Sequence, residues 1–599
     1  MNKRLMRKQL AEMLVKKRKY YVECEYLEST GTQYIDTGYK MTEGKTMTFN
    51  GNIMYTQSNG NANFFFGYRS VDSAEYRGDM RAFFVYGTSA PPAGRLAIRY
   101  GVNTDNSTST ISFNQRYNIS FDGTNLKVDG TTFISVSAFY TPANYQNMYL
   151  FWCNCTGYYS ADVAKFSGRI YNWQIFEDGV LVRDMIPVLD WNYTPCMYDK
   201  VSGELFYNAG TGDFSYGREI HYVYYLESTG TQYIDTGFKP SNTSGYYAKF
   251  AYSETTDEST VALGARTSGQ DNRWWLNIST DFEGIVFGFG SYLSTQTEAP
   301  QNTVLEASCN LYNDRKYKYI TKNWQGNIST TCPDVPFNAY LYAANVSGVL
   351  TLPVQNLKLY SVKFTDGSSL TRDFCPAIDE NGVGFMFDKV THTCFLNAGT
   401  GVFKYPAREV EYLESTGTQY INTGYIPNTN TECSIDFMFN TLDSTYRTPI
   451  SVRTSDGAAD SFTVSGASTT QNAYAFGLSS WWDGPGGCPK PVVGTKYNGT
   501  LKSGRATFGD VVGNAGTTIT PSSLTAYMFA RNANGTAANF FIGRIYDCQI
   551  KDNGTLTRDF VPVFMNGTAG MLEKLTGTLY TNQGTGSWTL GKVIEPEYE

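Results

Sequence analysis

Two histidines in 599 residues exclude most of the chemistry that enzymes run on that side chain. A Ser-His-Asp or Cys-His apparatus, or a histidine metal site, would need His221 or His392, and neither recurs in the internal repeats described below. Charge is also scarce, at 17% of residues, while aromatics reach 15%, with 46 Tyr and 37 Phe. No stretch is apolar enough to span a membrane. The basic start is followed by neither an apolar run nor a small-residue cleavage site. The expectation is therefore a chain kept in a cytoplasm, or one that leaves by a route other than secretion. No window inside the repeats has a helical period. Short alternating runs rich in Tyr and Phe are cut by Gly, Asn and Asp, of which Gly alone numbers 57. Such a pattern predicts an all-β chain.

The organisation is written three times. "EYLESTGTQYIDTGY" from Glu25 returns as "YYLESTGTQYIDTGF" from Tyr224 and "EYLESTGTQYINTGY" from Glu411. Each unit also closes alike, with Arg183-Asp184, Arg372-Asp373 and Arg558-Asp559 each followed by a proline, and then "YNAGTGDF", "LNAGTGVF" or "TNQGTGSW". Turns such as "FEDGV" and "KDNGT" between alternating runs are hairpin signals. Intervals of 199 and 187 residues between Tyr26, Tyr225 and Tyr412 make each unit large enough for a whole domain. The boundaries read as 1–20, 21–219, 220–407 and 408–599. Joins as short as "GREIHY" and "KYPAREV" predict that neighbouring domains touch.

Eleven cysteines do not form a disulfide framework on this alignment. Cys24, Cys196, Cys375, Cys394 and Cys548 each stand where another copy has an apolar residue, so they read as reduced core thiols. Only Cys153 and Cys155 lie close together, and their copies are not cysteine, so no metal and no cofactor is expected. The recurrent acids are Glu28/Glu227/Glu414 and Asp184/Asp373/Asp559. The glutamates read as loop partners, and each aspartate as an ion-pair or turn partner of its neighbouring arginine. Asp36 and Asp235 become Asn422, which keeps an acceptor but would abolish an acid. A non-enzymatic protein is expected.

The charge is asymmetric. Residues 1–19 carry eight basic side chains against Glu12, a net +7 that leaves −14 for the rest of a chain of net charge −7. An acidic body is a poor ligand for nucleic acid or anionic lipid. Met6, Leu10, Met13 and Leu14 fall near helical spacing beside Lys3 and Arg4, which predicts a short basic amphipathic helix that docks or assembles the chain.

The opening phrase together with "RDFCPA" or "RDFVPV" and the closing "NAGTG" resembles concanavalin A-like lectin/glucanase domains, which are laminin-G-like jelly rolls, of the kind found in virion proteins of tailed phages. The resemblance covers nearly all of residues 21–599. It implies three tandem antiparallel β-sandwiches. The Glu-x-Asp-x-x-Glu strand of the glucanase branch is missing, since Glu432 and Asp436 have the wrong spacing, so the resemblance favours binding over hydrolysis. No compact acidic loop recurs, and calcium is not carried over.

Sugar rings stack on exposed aromatics flanked by planar hydrogen-bonding groups. The candidates are Trp274 and Trp275 beside Arg273, and Trp481 and Trp482 beside Asp483. Adjacent tryptophans on a strand alternate in direction, so one of each pair is expected in the core. Arg69, Arg266 and Arg453 recur and read as framework. What the resemblance implies is a phage virion appendage: a head fibre, tail fibre or decoration protein. Its N-terminal segment would bind other virion proteins, and its sandwiches would bind host or mucosal glycans. It would be assembled in the host cytoplasm, as a homo-oligomer with a trimer favoured. The alternatives are a structural virion protein without sugar binding and a bacterial surface adhesin. The thrice-written phrase itself reads as framework, which places function in what the copies do not share.

Overall fold

In the computed structural model, each repeat folds as two largely antiparallel sheets packed face to face, with one parallel strand pair in the smaller sheet of the second and of the third repeat. Residues 21–594 are described, apart from 43, 57–62, 69–78, 86–92, 102–103, 137–145, 156–165, 254–258, 268–271, 280–283, 333, 352–353, 478–487 and 566–567. The expected basic helix, with Lys3, Arg4, Met6, Leu10, Met13 and Leu14, lies outside them. Among the described residues the helical turns are two short 3-10 segments, Leu311–Asn313 and Ile320–Lys322. None is long or apolar enough to cross a membrane.

The closing hairpin is the spine of each larger sheet. Ser167–Glu177 pairs with Val180–Asp190 across the Asp178-Gly179 turn, and Gln355–Asp366/Ser369–Ile378 and Ile542–Asp552/Thr555–Met565 repeat it. The first strand of each hairpin also pairs with Met47–Tyr55, Ser244–Tyr252 or Thr431–Phe439. Side chains that face each other on the inner side of this pair share a fixed volume. Trp173 meets Gly51, Val362 meets Ala248, and Cys548 meets Ile435. Where one partner is large, the other is small. Trp173 stacks on Phe49 at 5.1 Å and packs tilted against Phe66 at 4.8 Å, and a Cβ built on Gly51 would lie 2.1 Å from its ring.

The two repeated phrases meet in space. In the first repeat the buried Gln33 amide oxygen accepts from Thr30 N–H at 3.0 Å, and its amide nitrogen donates to the Asp213 carbonyl at 2.9 Å. Gln232 makes the same bridge from Thr229 to Val402, and Gln419 from Thr416 to Ser587. The tyrosine N–H beside each glutamine donates to the side chain of Asn208, Asn397 or Asn582. The Arg-Asp pairs behave differently from the reading above. Neighbours on a strand point to opposite faces, so Arg183 and Arg372 reach the fully buried Asp199 and Asp388, at 3.7 and 3.6 Å, rather than their neighbours. Asp184 and Asp559 instead accept from Gln174 and Gln549. All eleven cysteines are free thiols, nine of them buried. Burial pushes the Cys196 thiol up to about 12, which keeps it protonated.

The chain divides into two compact units, 1–404 and 405–599. The third repeat has its own eleven- and seven-stranded sheets and its own core. The larger sheets of the first two repeats run together as one sheet of 21 strands. The join is the strand Glu219–Tyr222. Its first half pairs with Glu23 and Cys24, and its second half with Ala377 and Ile378. The Tyr222 hydroxyl donates to Glu23 at 2.8 Å, Arg218 pairs with Asp379, and Arg116 donates to the carbonyls of Thr391 and His392. Both histidines are buried in this junction. His221 contacts Glu219 at 2.8 Å, and the His392 ring donates to the Cys24 carbonyl at 3.0 Å.

Two outcomes are expected. Gly51→Ala forces Trp173 to move and should destabilise the first unit by about 1–3 kcal/mol, read as a lower denaturation midpoint. His392 is held neutral: burial, then the neighbouring Lys200 and Arg116, outweigh Glu23 and the Cys24 carbonyl and push its pKa down to about 4. The unfolded ring titrates near its ordinary value of about 6.5. The unfolded state therefore binds the extra proton first as pH falls. The stability from this group is complete above about pH 6.5 and is lost progressively towards pH 4, by about 3 kcal/mol. Thermal melts of wild type and His392→Gln across this window should converge on acidification; parallel curves would show that the ring does not govern the junction.

Candidate functional site

The clearest recurrent surface feature is a pair of tyrosines on the outward face of each smaller sheet. The short strand Ile35–Asp36 pairs with Tyr149–Leu150. Alternation sends Ile35 and Leu150 into the core and leaves Tyr34, Asp36 and Tyr149 on the other side, half-buried. Tyr34 and Tyr149 stack with ring centres 4.8 Å apart. Tyr420 and Tyr527 stack likewise at 4.9 Å, and Tyr233 and Tyr340 pack at 4.8 Å with their rings tilted by 40°. The first repeat adds Trp152, 5.1 Å from Tyr34 and 6.2 Å from Tyr149. Ala343 and Ala530 stand at that position in the other copies. The third repeat packs Phe540 against Tyr420, and its Tyr527 is buried.

A polar rim is fixed beside each pair. Asp36 accepts from Gly38 N–H at 2.9 Å and from the Asn147 amide at 3.0 Å, and Asp235 does the same with Gly237 and Asn338. In the third repeat both partners change together: Asn422 caps Gly424, and Thr525 stands where Asn147 and Asn338 are. Burial, then Asp36 and Tyr34, push the Tyr149 hydroxyl up to about 12, so it remains a donor at neutral pH. Rings with a protonated hydroxyl, a carboxylate and an amide suit the faces and hydroxyls of a sugar. Among the described residues no group of three His, Cys, Asp or Glu side chains is assembled to hold a metal ion.

The cross-strand rows extend this face. Asp36, Tyr149 and Gly67 are successive partners in the first repeat. Asp235, Tyr340, Gly264, Trp275 and Gly288 are successive partners in the second. Gly264 and Gly288 leave room for Trp275: a Cβ on Gly264 would lie 2.3 Å from its Cβ, and one on Gly288 2.5 Å from its ring.

Of the residues singled out in the sequence, Trp274 is the core member of its pair. It is fully buried, 5.0 Å from Tyr246 and 5.1 Å from Phe364, and presents no ring face to a ligand. Trp275 shares the row of the tyrosine pair but is only 6% exposed, between Arg266 and Arg273, which lie 5.0 and 4.9 Å from its ring. Arg273 is buried with it. Trp481, Trp482 and Asp483 lie outside the described residues. The tyrosine pairs were missed because they sit inside the shared phrase. The signal was present: in "QYID" the buried Gln33 and Ile35 bracket Tyr34, which places its ring out of phase with the core. The recurrent glutamates pair with Arg169 at 3.0 Å, Lys358 at 3.8 Å and Arg544 at 2.6 Å on the larger sheets.

No protein-family model matches the chain, and no curated protein matches it. Among solved structures, the LG1-3 region of the laminin alpha2 chain aligns over 95% of this chain and 100% of its own length, with 11% identity and a TM-score of 0.23. Domains LG4-5 of the mouse laminin alpha1 chain align over 58% of this chain and 91% of their own, with 10% identity and a TM-score of 0.20. Values this low carry no argument about function, and the sandwich assignment rests on the strand pairing.

Trp274→Ala should cost about 3–5 kcal/mol of stability, measured by denaturant unfolding, because it empties a packed core site. It should leave ligand affinity of the folded protein unchanged.

Proposed function

We propose that this chain is a non-catalytic glycan-binding appendage of a phage virion, with each sandwich presenting its smaller sheet outward. The observation that carries the binding reading is the close-packed tyrosine pair, stacked in the first and third repeats and tilted in the second, placed at the same positions in all three and edged by a fixed carboxylate or amide. Structural need alone does not call for a tyrosine pair on the side away from the core at one place three times, half-buried in the first two repeats. Weak sites in series would gain by avidity on a surface that repeats its sugars. The virion setting comes from the resemblance of the repeated phrases to phage virion proteins. The basic N-terminal segment would attach the chain to other virion proteins, in a homo-oligomer. The second reading, a structural virion protein, is favoured by one observation: the sheet shared by the first two repeats suits a stiff spacer.

A glycan array probed with the full chain tests the binding reading. Host or mucosal glycans should bind, and Trp152→Ala combined with Tyr34→Ala should weaken the best of them by about tenfold, from the loss of two stacking rings of about 0.5–1.5 kcal/mol each. No binding to any glycan, or binding indifferent to these two residues, would favour the spacer. Detection of the chain in purified particles, with its copy number, tests the setting.

A further inference from the structure

The third repeat carries a buried cation whose Nε has no acceptor among the described residues. This is Arg531, which is 5% exposed. Its guanidinium packs over the Tyr446 ring at 5.4 Å. A buried charge is costly unless it is paired, and a ring face offsets only part of that cost. Arg531 lies on the strand Arg531–Ala533, opposite Ser451 on the strand Ile450–Arg453. Alternation puts Arg453 on the same outward side as Ser451. One step beyond the Val452–Phe462 pair stands Ser461, whose buried hydroxyl also lacks a partner. Two unsatisfied donors thus flank a second arginine.

Arg453 is engaged by Asp456, whose side chain is 86% exposed and held by nothing deeper than this ion pair. Burial, then the nearness of Arg453, lowers the Arg531 pKa to about 10, so both arginines remain cationic at neutral pH. The second repeat has a related arrangement: Arg266 and Arg273 are direct cross-strand partners beside Trp275.

We propose that the Arg453–Arg531 pair is a carboxylate-binding subsite, and that the third repeat takes an acidic sugar, with Tyr446 beside the ring and Asp456 as an internal stand-in for the ligand's carboxylate. The inference rests on the glycan reading above and names the ligand class for this face. Two guanidiniums on one face offer a carboxylate charge-assisted bonds that a neutral sugar cannot make.

The test is titration calorimetry of the full chain with D-glucuronate, using methyl α-D-glucopyranoside as the neutral control and acetate as the carboxylate without a ring. Glucuronate should bind at least about tenfold more tightly than either control, as expected for bonds between ionised groups. Arg531→Leu should remove one glucuronate site per chain without lowering the melting temperature, since it replaces an unpaired buried charge with an apolar side chain. Asp456→Asn should tighten one site by about threefold, the value of an exposed ion pair. An unchanged site number in Arg531→Leu overturns the proposal, as does equal affinity for glucuronate and acetate or for glucuronate and the neutral sugar. Neutral glycans bound on the array while glucuronate fails would overturn this subsite and leave the glycan reading standing; an array with no binding would remove that reading itself.

Discussion

Each repeat is closed by one buried amide. The side chains of Gln33, Gln232 and Gln419 accept from the turn at the start of the domain and donate to a carbonyl at its end. Bringing together points as distant in sequence as Gln33 and Asp213 costs loop entropy that local contacts cannot offset. An amide is the group for the task, because it presents a donor and an acceptor from one planar end. Once the clamp is set, the phrases on either side pair, and the closing hairpin can lie along the opening strands. The variable middles are held between fixed ends.

The clamp also explains why framework and surface occupy the same words. A strand segment alternates, so the residue beside a buried glutamine faces out. Tyr34, Tyr233 and Tyr420 take that position, and their backbone N–H groups complete the clamp by donating to Asn208, Asn397 and Asn582. One short phrase therefore fixes the fold with its odd members and furnishes a surface with its even ones. Sharing between copies does not separate structural residues from displayed ones when the two alternate along one strand.

The all-β class, the tandem repeats and the thiol character of the cysteines were legible because each depends on local pattern or on substitution between copies. Cys548 standing for Trp173 marks a core slot in any arrangement. The tyrosine platform was less legible, because recurrence was taken for framework throughout. Arg183 was assigned its neighbour Asp184 as partner; only the sheet register shows that the neighbour points away and that Asp199 is within reach. The arginine pair of the third repeat could not be read at all. Arg453 and Arg531 are 78 positions apart in the sequence, and a parallel strand pairing brings them onto one face.

The strand Glu219–Tyr222 has a consequence for inheritance. Glu219 and Ile220 extend the sheet of the repeat before it, and His221 and Tyr222 the sheet of the repeat after it. A recombination that exchanged the first repeat alone would have to preserve Glu23 and Cys24 on one side and Ala377 and Ile378 on the other, or leave an open edge on both. Among the described residues, the sheets of the third repeat are built from its own strands. Tandem copies are thus unequal as units of exchange: the first two share the strand that joins their sheets, and neither can be exchanged without it.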